Sequence, residues 1–332
     1  MGDATGLVLG LFAAAMWGTL DVLVAFAGRR IGGVASAALV VGSSCLMVLA
    51  FAVLTGTGLP SDTSSLALAL LAGAVSSIGF ACFYTALRLG PVSVVSPTVA
   101  VYGGLASVLA IIFLGERPAT IQLVGVAAAT LGIALAGVTF TRGGGRPRFS
   151  GPGVPFALVS LVAWSVSIVL LSIPIREAGW LSASSAARIA NALLLVGLWV
   201  IVWRRGASRP GEPALAPEPE PPLDIEALAA GDRTGAPPGE ARPTPRGAAL
   251  AATLGRHPVE ILLAAGFLET CGFIAFSYAL GVAPAWLVSL ASSLGPTVTV
   301  TAGVLLFGER PRAVQWAGIG LVFAGIALVA IG

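Results

Sequence analysis

Charge is what this sequence has least of. Of its 332 residues, 10% are Asp, Glu, Lys or Arg and 57% are hydrophobic. A soluble domain carries about 25% charged residues, so this chain could not cover its own surface in water. Its long uncharged runs mark an integral membrane protein. Lysine is absent: every basic residue is arginine, and the net charge of +3 builds no basic face of the kind nucleic acid requires. The single histidine, His257, stands at a loop-to-span boundary, where no histidine-based metal site or triad can be assembled. No H-E-x-x-H, no phosphate-cradling loop and no D-x-x-x-D pair falls within an apolar run. These absences exclude ATP-driven pumping by this chain and argue against an enzyme, and nothing calls for a metal or other cofactor. Cys45, Cys82 and Cys271 lie inside apolar runs without metal spacing, as buried free thiols do. The N-terminus carries Asp3 and no arginine, and its apolar run is too long for a signal h-region, so it is expected to stay as a span.

With roughly 20 apolar residues needed per span, ten spans are expected, at about 6–27, 34–55, 65–87, 92–114, 120–140, 153–174, 183–203, 258–280, 284–307 and 313–331. Most joints carry Gly or Pro, and short loops make neighbours antiparallel hairpins. The exception is 204–257, rich in Pro, Glu, Arg and Ala. It cannot bury enough apolar surface to offset chain entropy and is expected to be disordered, with one short surface helix over Leu223 to Ala230.

A block of sequence occurs twice. Gly115-Glu116-Arg117-Pro118 returns as Gly308-Glu309-Arg310-Pro311, a shift of 193 that also pairs Gly79 with Gly272, Phe83 with Phe276 and Gly132 with Gly325. The front of each half matches at a shift of 147, which pairs Trp17 with Trp164 and Arg29 with Arg176. The insertion absorbs most of the difference, so the repeated unit is five spans. Two copies of an odd-numbered unit enter the membrane in opposite senses, which is an inverted-topology repeat. The predicted fold is therefore an all-α integral membrane protein of ten transmembrane helices in two inverted five-helix repeats.

The Trp17-Gly18 pair, the G-E-R-P that closes the fourth span of each half, and the segments 86–97 and 279–289 that lead into that span resemble the EamA domains of the drug/metabolite transporter superfamily. The resemblance implies repeats at 1–141 and 150–332, the second interrupted by 204–257. It also implies a carrier of small organic molecules (metabolites, amino acids or drugs) in the cell membrane, working most often as an exporter. Family members generally have cytoplasmic termini and a short connection in place of the insertion. The arginines, crowded at the ends opposite the termini, place both termini outside instead, and the two arguments stand against each other.

An ionisable group at mid-membrane costs roughly 2.5–3.5 kcal/mol and needs a reason. Glu269 lies near the middle of its span and pairs with Ser76 in the repeat. It reads as a protonatable coupling site or as a structural carboxylate. Asp21, one turn beyond Trp17, faces a cavity or snorkels to the headgroups. Arg188 and Asn191 share a helix face. They read as an anion-binding pair, as partners of Asp21 or Glu269, or as an interfacial arginine. Trp17 and Trp164 hold matching places and suit either a substrate wall or an interfacial belt. Tyr84, Tyr102 and Tyr278 are candidates for the same lining, and Trp180, Trp199, Trp203 and Trp316 are expected in the belt. The G-E-R-P tetrads are expected to be structural: Gly ends a helix, Glu and Arg pair locally, and Pro begins the next helix.

The sequence thus predicts a secondary transporter whose partners are a small-molecule substrate, the lipid bilayer and protons, working by alternating access. A translocase of a lipid-linked or amphiphilic substrate is the alternative within carriers. A non-transporting partner or sensor subunit is the alternative outside them.

Overall fold

In lipid every backbone polar group must be satisfied within the chain, and this chain answers with helices. The structure, a computed structural model, describes residues 2–89, 92–136, 152–207, 257–295 and 313–331. Helices α1 (Gly2–Ile31), α2 (Gly33–Leu54), α3 (Thr63–Leu89), α7 (Val154–Ala178), α8 (Trp180–Ala207) and α9 (Pro258–Val282) include the six stretches long and apolar enough to cross a membrane. Shorter helices α4 (Val92–Ala100), α5 (Tyr102–Phe113), α6 (Thr120–Ala136), α10 (Ala285–Ser292) and α11 (Ala313–Ile331) complete the described set. The segment 204–257 lies outside the described residues beyond Ala207, including the expected helix at Leu223 to Ala230, and so does the second G-E-R-P.

One glycine alone joins α1 to α2, and another joins α7 to α8. Gly32 has φ 98° and Gly179 has φ 91°, a backbone that a side chain would strain. They stand 147 residues apart, at the shift that relates the two tryptophans.

The expected span at 92–114 is not one helix. It breaks at Val101, between α4 and α5, four residues after Pro97. The expected span at 284–307 begins with α10 and breaks in a turn at Ser293-Leu294. Leu294 is the repeat mate of Val101, so both halves break at one position, with Pro97 four residues before the first break and Pro296 two residues after the second. The two broken segments cross. A Cβ on Gly103 would overlap Ser293, Tyr102 Oη lies 3.2 Å from Ser292 Oγ, and Ser107 Oγ donates to the Trp286 carbonyl at 2.8 Å.

Packing respects the repeat but not the boundary between halves. Helix α3 packs along α7 and α8, while α9 packs along α1 and α2. Small residues permit these approaches. A Cβ on Gly79 would lie 2.5 Å from the Trp164 ring, and one on Gly272 would lie 2.8 Å from Trp17 Nε1. Each half's tryptophan thus rests on the other half's glycine. Two bundles result, one of α1, α2, α9 and α10, the other of α3, α4, α7 and α8, each drawn from both halves. Helices α6 and α11 pack on one another to the side, where a Cβ on Gly132 would lie 2.7 Å from the Gly318 carbonyl oxygen.

Over-packing of that kind costs about 1–3 kcal/mol. Gly132→Ala should therefore lower the melting temperature of the purified protein in detergent. Gly197→Ala, whose Cβ would have nothing within 4 Å, should leave it level or raise it. Equal behaviour of the two variants would remove close α6–α11 packing from the account of stability.

Candidate functional site

The two bundles do not close fully against each other. Between them lies a cavity of about 120 Å³ whose walls come from α1, α3, α4, α5, α7, α8 and α9 and the turn after α10. Helical periodicity decides which residues reach it. Trp17 and Asp21 arrive from α1 at i and i+4. Trp164, Ser167 and Leu171 arrive from α7 at i, i+3 and i+7, and Arg188 and Asn191 from α8 at i and i+3. Helix α9 supplies Glu269, Phe273 and Phe276 at i, i+4 and i+7. Tyr278 is nine residues from Glu269, half a turn round the same helix at about 100° per residue. It therefore lies outside the cavity, 42% exposed and edge-on to Trp180 at 5.6 Å. Of the residues singled out in the sequence, Glu269, Asp21, Arg188, Asn191, Trp17, Trp164, Tyr84 and Tyr102 line the cavity together, and Tyr278 does not.

At its centre Arg188 donates from Nη2 to Glu269 Oε1 at 2.9 Å, with side chains 1% and 3% exposed. Breaking such a pair by removing one partner costs about 3–5 kcal/mol. The Phe273 ring lies 3.6 Å from the guanidinium carbon, a cation–π contact that leaves the in-plane donors free. Nε and Nη1 of Arg188 are sealed from solvent and have no partner among the described residues. Asp21 is held separately, accepting from Ser96 Oγ on α4 at 2.9 Å. Asn191 donates to Ser76 Oγ at 3.3 Å and accepts from Ser77 Oγ at 3.3 Å. The Trp17 indole N–H is directed toward the Glu269 carboxylate without closing a hydrogen bond.

Aromatic rings form the rest of the wall. Trp164 meets Phe80, Phe83 and Tyr102 with centroids 5.1, 5.2 and 5.9 Å apart, and Trp17 meets Phe276 at 5.4 Å. Neither tryptophan is a belt residue. Trp199, Trp203 and Trp316 are exposed, at 36%, 66% and 58%.

Sequence reasoning missed Phe273, which the i+4 spacing from Glu269 could have supplied. It also missed Ser96, which it could not have found, because Asp21 and Ser96 meet only through the packing of α1 on α4.

Near one end of the molecule the first G-E-R-P makes a longer-range contact than expected. Glu116 accepts from the backbone N–H groups of Ala285 at 2.8 Å and Trp286 at 3.0 Å, and pairs with Arg176 of α7. Its carboxylate caps the N-terminus of α10, in the other half of the chain. The next helix starts at Thr120 and not at Pro118, with Gln122 Oε1 accepting from the Ala119 N–H at 2.8 Å. Asp3, Glu116, Arg117 and Arg176 line an open vestibule of about 440 Å³ at this end.

The fold and cavity define a multi-pass membrane protein in which two related sets of helices enclose a polar, aromatic-walled chamber. The chain belongs to the EamA-like transporter family, whose model matches residues 4–138 and 248–331. It is therefore an integral membrane transporter of the drug/metabolite type. No curated protein matches it. A solved chain titled "Crystal structure of protein" aligns over 99% of this chain and 97% of its own length, with a TM-score of 0.64 and 17% identity. That likeness extends the shared fold to α7 and α8, which the family match leaves out.

A helix cap is worth about 0.5–2 kcal/mol, and a half-exposed ion pair less. Glu116→Ala should thus destabilise the protein more than Arg176→Ala does. Equal losses from the two, read from thermal unfolding in detergent, would show that the ion pair and not the cap carries the contact.

Proposed function

We propose that the protein is a secondary transporter that moves small organic solutes by alternating access, with ten spans in two inverted halves. The carrying observation is the chamber between bundles, where one buried cation and two carboxyl groups sit among aromatic rings. Charge placed in the membrane interior at this cost belongs to a pathway or a relay, and paired broken helices beside a central site are a recurring transporter device. At about 120 Å³ the chamber falls below the ~150 Å³ that admits benzene and the ~300–1,000 Å³ of drug-sized pockets. The solute held in this conformation is small, which favours metabolites over a lipid-linked substrate. Export is the direction that family membership suggests, and Glu269 is the group proposed to couple movement to protons.

Purified protein in liposomes should accumulate at least one member of a panel of labelled amino acids, monocarboxylates and cationic drugs when a pH gradient is imposed. Movement of none, with or without the gradient, would sink the transport reading. Glu269→Gln should abolish accumulation driven by the gradient. Full pH-driven accumulation in that variant would remove Glu269 from coupling and leave the carrier itself in place.

A further inference from the structure

The Arg188 guanidinium is under-used for a group so deeply buried. Its five N–H donors form a fork suited to two parallel bonds with a carboxylate, yet Glu269 takes one bond through Nη2. Nε and Nη1, both sealed from solvent, have no partner among the described residues. Phe273 holds the plane of the fork from one face, so these donors lie at the edge, where a planar oxyanion would meet them. Asp21 does not compete, because Ser96 on another helix holds it.

Packing does not require a carboxylate at position 269. Ser76 occupies the equivalent place in the repeat and meets Asn191 of α8 through a neutral hydrogen bond. The glutamate is therefore extra to the helix interface and serves the cation.

We propose that Glu269 stands in for the carboxylate of the transported solute. A carboxylate-bearing molecule takes over the Arg188 fork, and Glu269 is released from it. Around Glu269 the charged and titratable neighbours are Arg188 from α8, Asp21 from α1, Tyr84 from α3 and Tyr102 from α5, and Cys45 on α2 senses Arg188. One cation cannot balance three carboxylates in a dry chamber, so the released Glu269 takes a proton as the anion enters. No covalent bond changes, and each bound carboxylate brings one proton. This rests on the transport reading only for the loading and emptying of the chamber. The anion site itself does not depend on it.

Tryptophan fluorescence reads the site directly, since Trp17 and Trp164 line it. Purified protein is titrated with acetate and propionate, and with acetamide and propionamide as uncharged counterparts. The wild type should bind the acids, more tightly as pH falls from 7.5 to about 5.5, and should ignore the amides. Glu269→Gln, which no longer competes for Arg188, should bind propionate at least tenfold more tightly at pH 7, with the pH slope gone. Arg188→Gln should bind neither acid, and Arg188→Lys, a point charge without the fork, should bind weakly.

The proposal is overturned if Glu269→Gln binds propionate no better than the wild type, if propionamide matches propionate, or if Arg188→Gln keeps the affinity. Should Glu269→Gln unfold on purification, adding propionate during extraction should restore a monodisperse protein with a raised melting temperature, and no restoration overturns it equally. Liposomes that move nothing while the fluorescence pattern holds would remove the transport reading and keep the site. Solutes that move without competition from any monocarboxylate would do the reverse.

Discussion

A guanidinium and a carboxylate sealed together inside an apolar protein constrain everything around them. Arg188 and Glu269 lie on α8 and α9, which belong to different bundles. Parting them without replacement would strand both charges at a cost of about 3–5 kcal/mol, against a total stability of about 5–15 kcal/mol for a typical domain. The helices that carry them are therefore fixed in rotation, and that rotation brings Phe273, Phe276 and Asn191 into the chamber and turns Tyr278 away.

The glycines determine how near the backbones come. The Trp17–Gly272 and Trp164–Gly79 contacts repeat across the molecule, each joining one half of the chain to the other. Duplication thus did not yield two self-contained blocks. It yielded two bundles that exchanged partners, with the first two helices of each half packed on the third helix of the other. The groups that hold together are not the repeats read along the chain.

Much of this was legible in the sequence, because the strongest signals there are physical. Charges inside apolar runs are so costly that Glu269, Arg188 and Asp21 stood out without any alignment, and all three line one cavity. The spacing of Trp17 and Asp21, or of Arg188 and Asn191, placed each pair on one helix face. What escaped were facts about separate helices meeting. Nothing along the chain says that Glu116 caps the helix beginning at Ala285, 169 residues away, or that Ser96 reaches Asp21. The break at Val101 was half-signalled by Pro97. The matching break at Ser293-Leu294 comes just before Gly295-Pro296, and the repeat relation connects the two. Tyr278 was assigned to the lining by residue type, where counting around α9 from Glu269 would have excluded it.

Among the described residues, three carboxylate-centred contacts join the bundles: Arg188 with Glu269 at the centre, Ser96 with Asp21 beside it, and Glu116 with Arg176 and the start of α10 at the vestibule end. Each has one carboxylate as its acceptor. Neutral hydrogen bonds join the crossing broken segments, and small-residue and aromatic packing, which tolerates sliding better than a directed hydrogen bond does, supplies much of the rest. Two of the three, the central pair and Ser96 with Asp21, border the space a solute would fill, and of these the central one alone holds a cation. A solute able to satisfy Arg188 in place of Glu269 would loosen the inter-bundle link without leaving the cation unpaired. Empty, the chamber is held by its own carboxylate; occupied, it would be held by the solute's. A ligand shifts a conformational equilibrium only by its differential affinity for the two states, and this exchange of partners gives that difference a physical location.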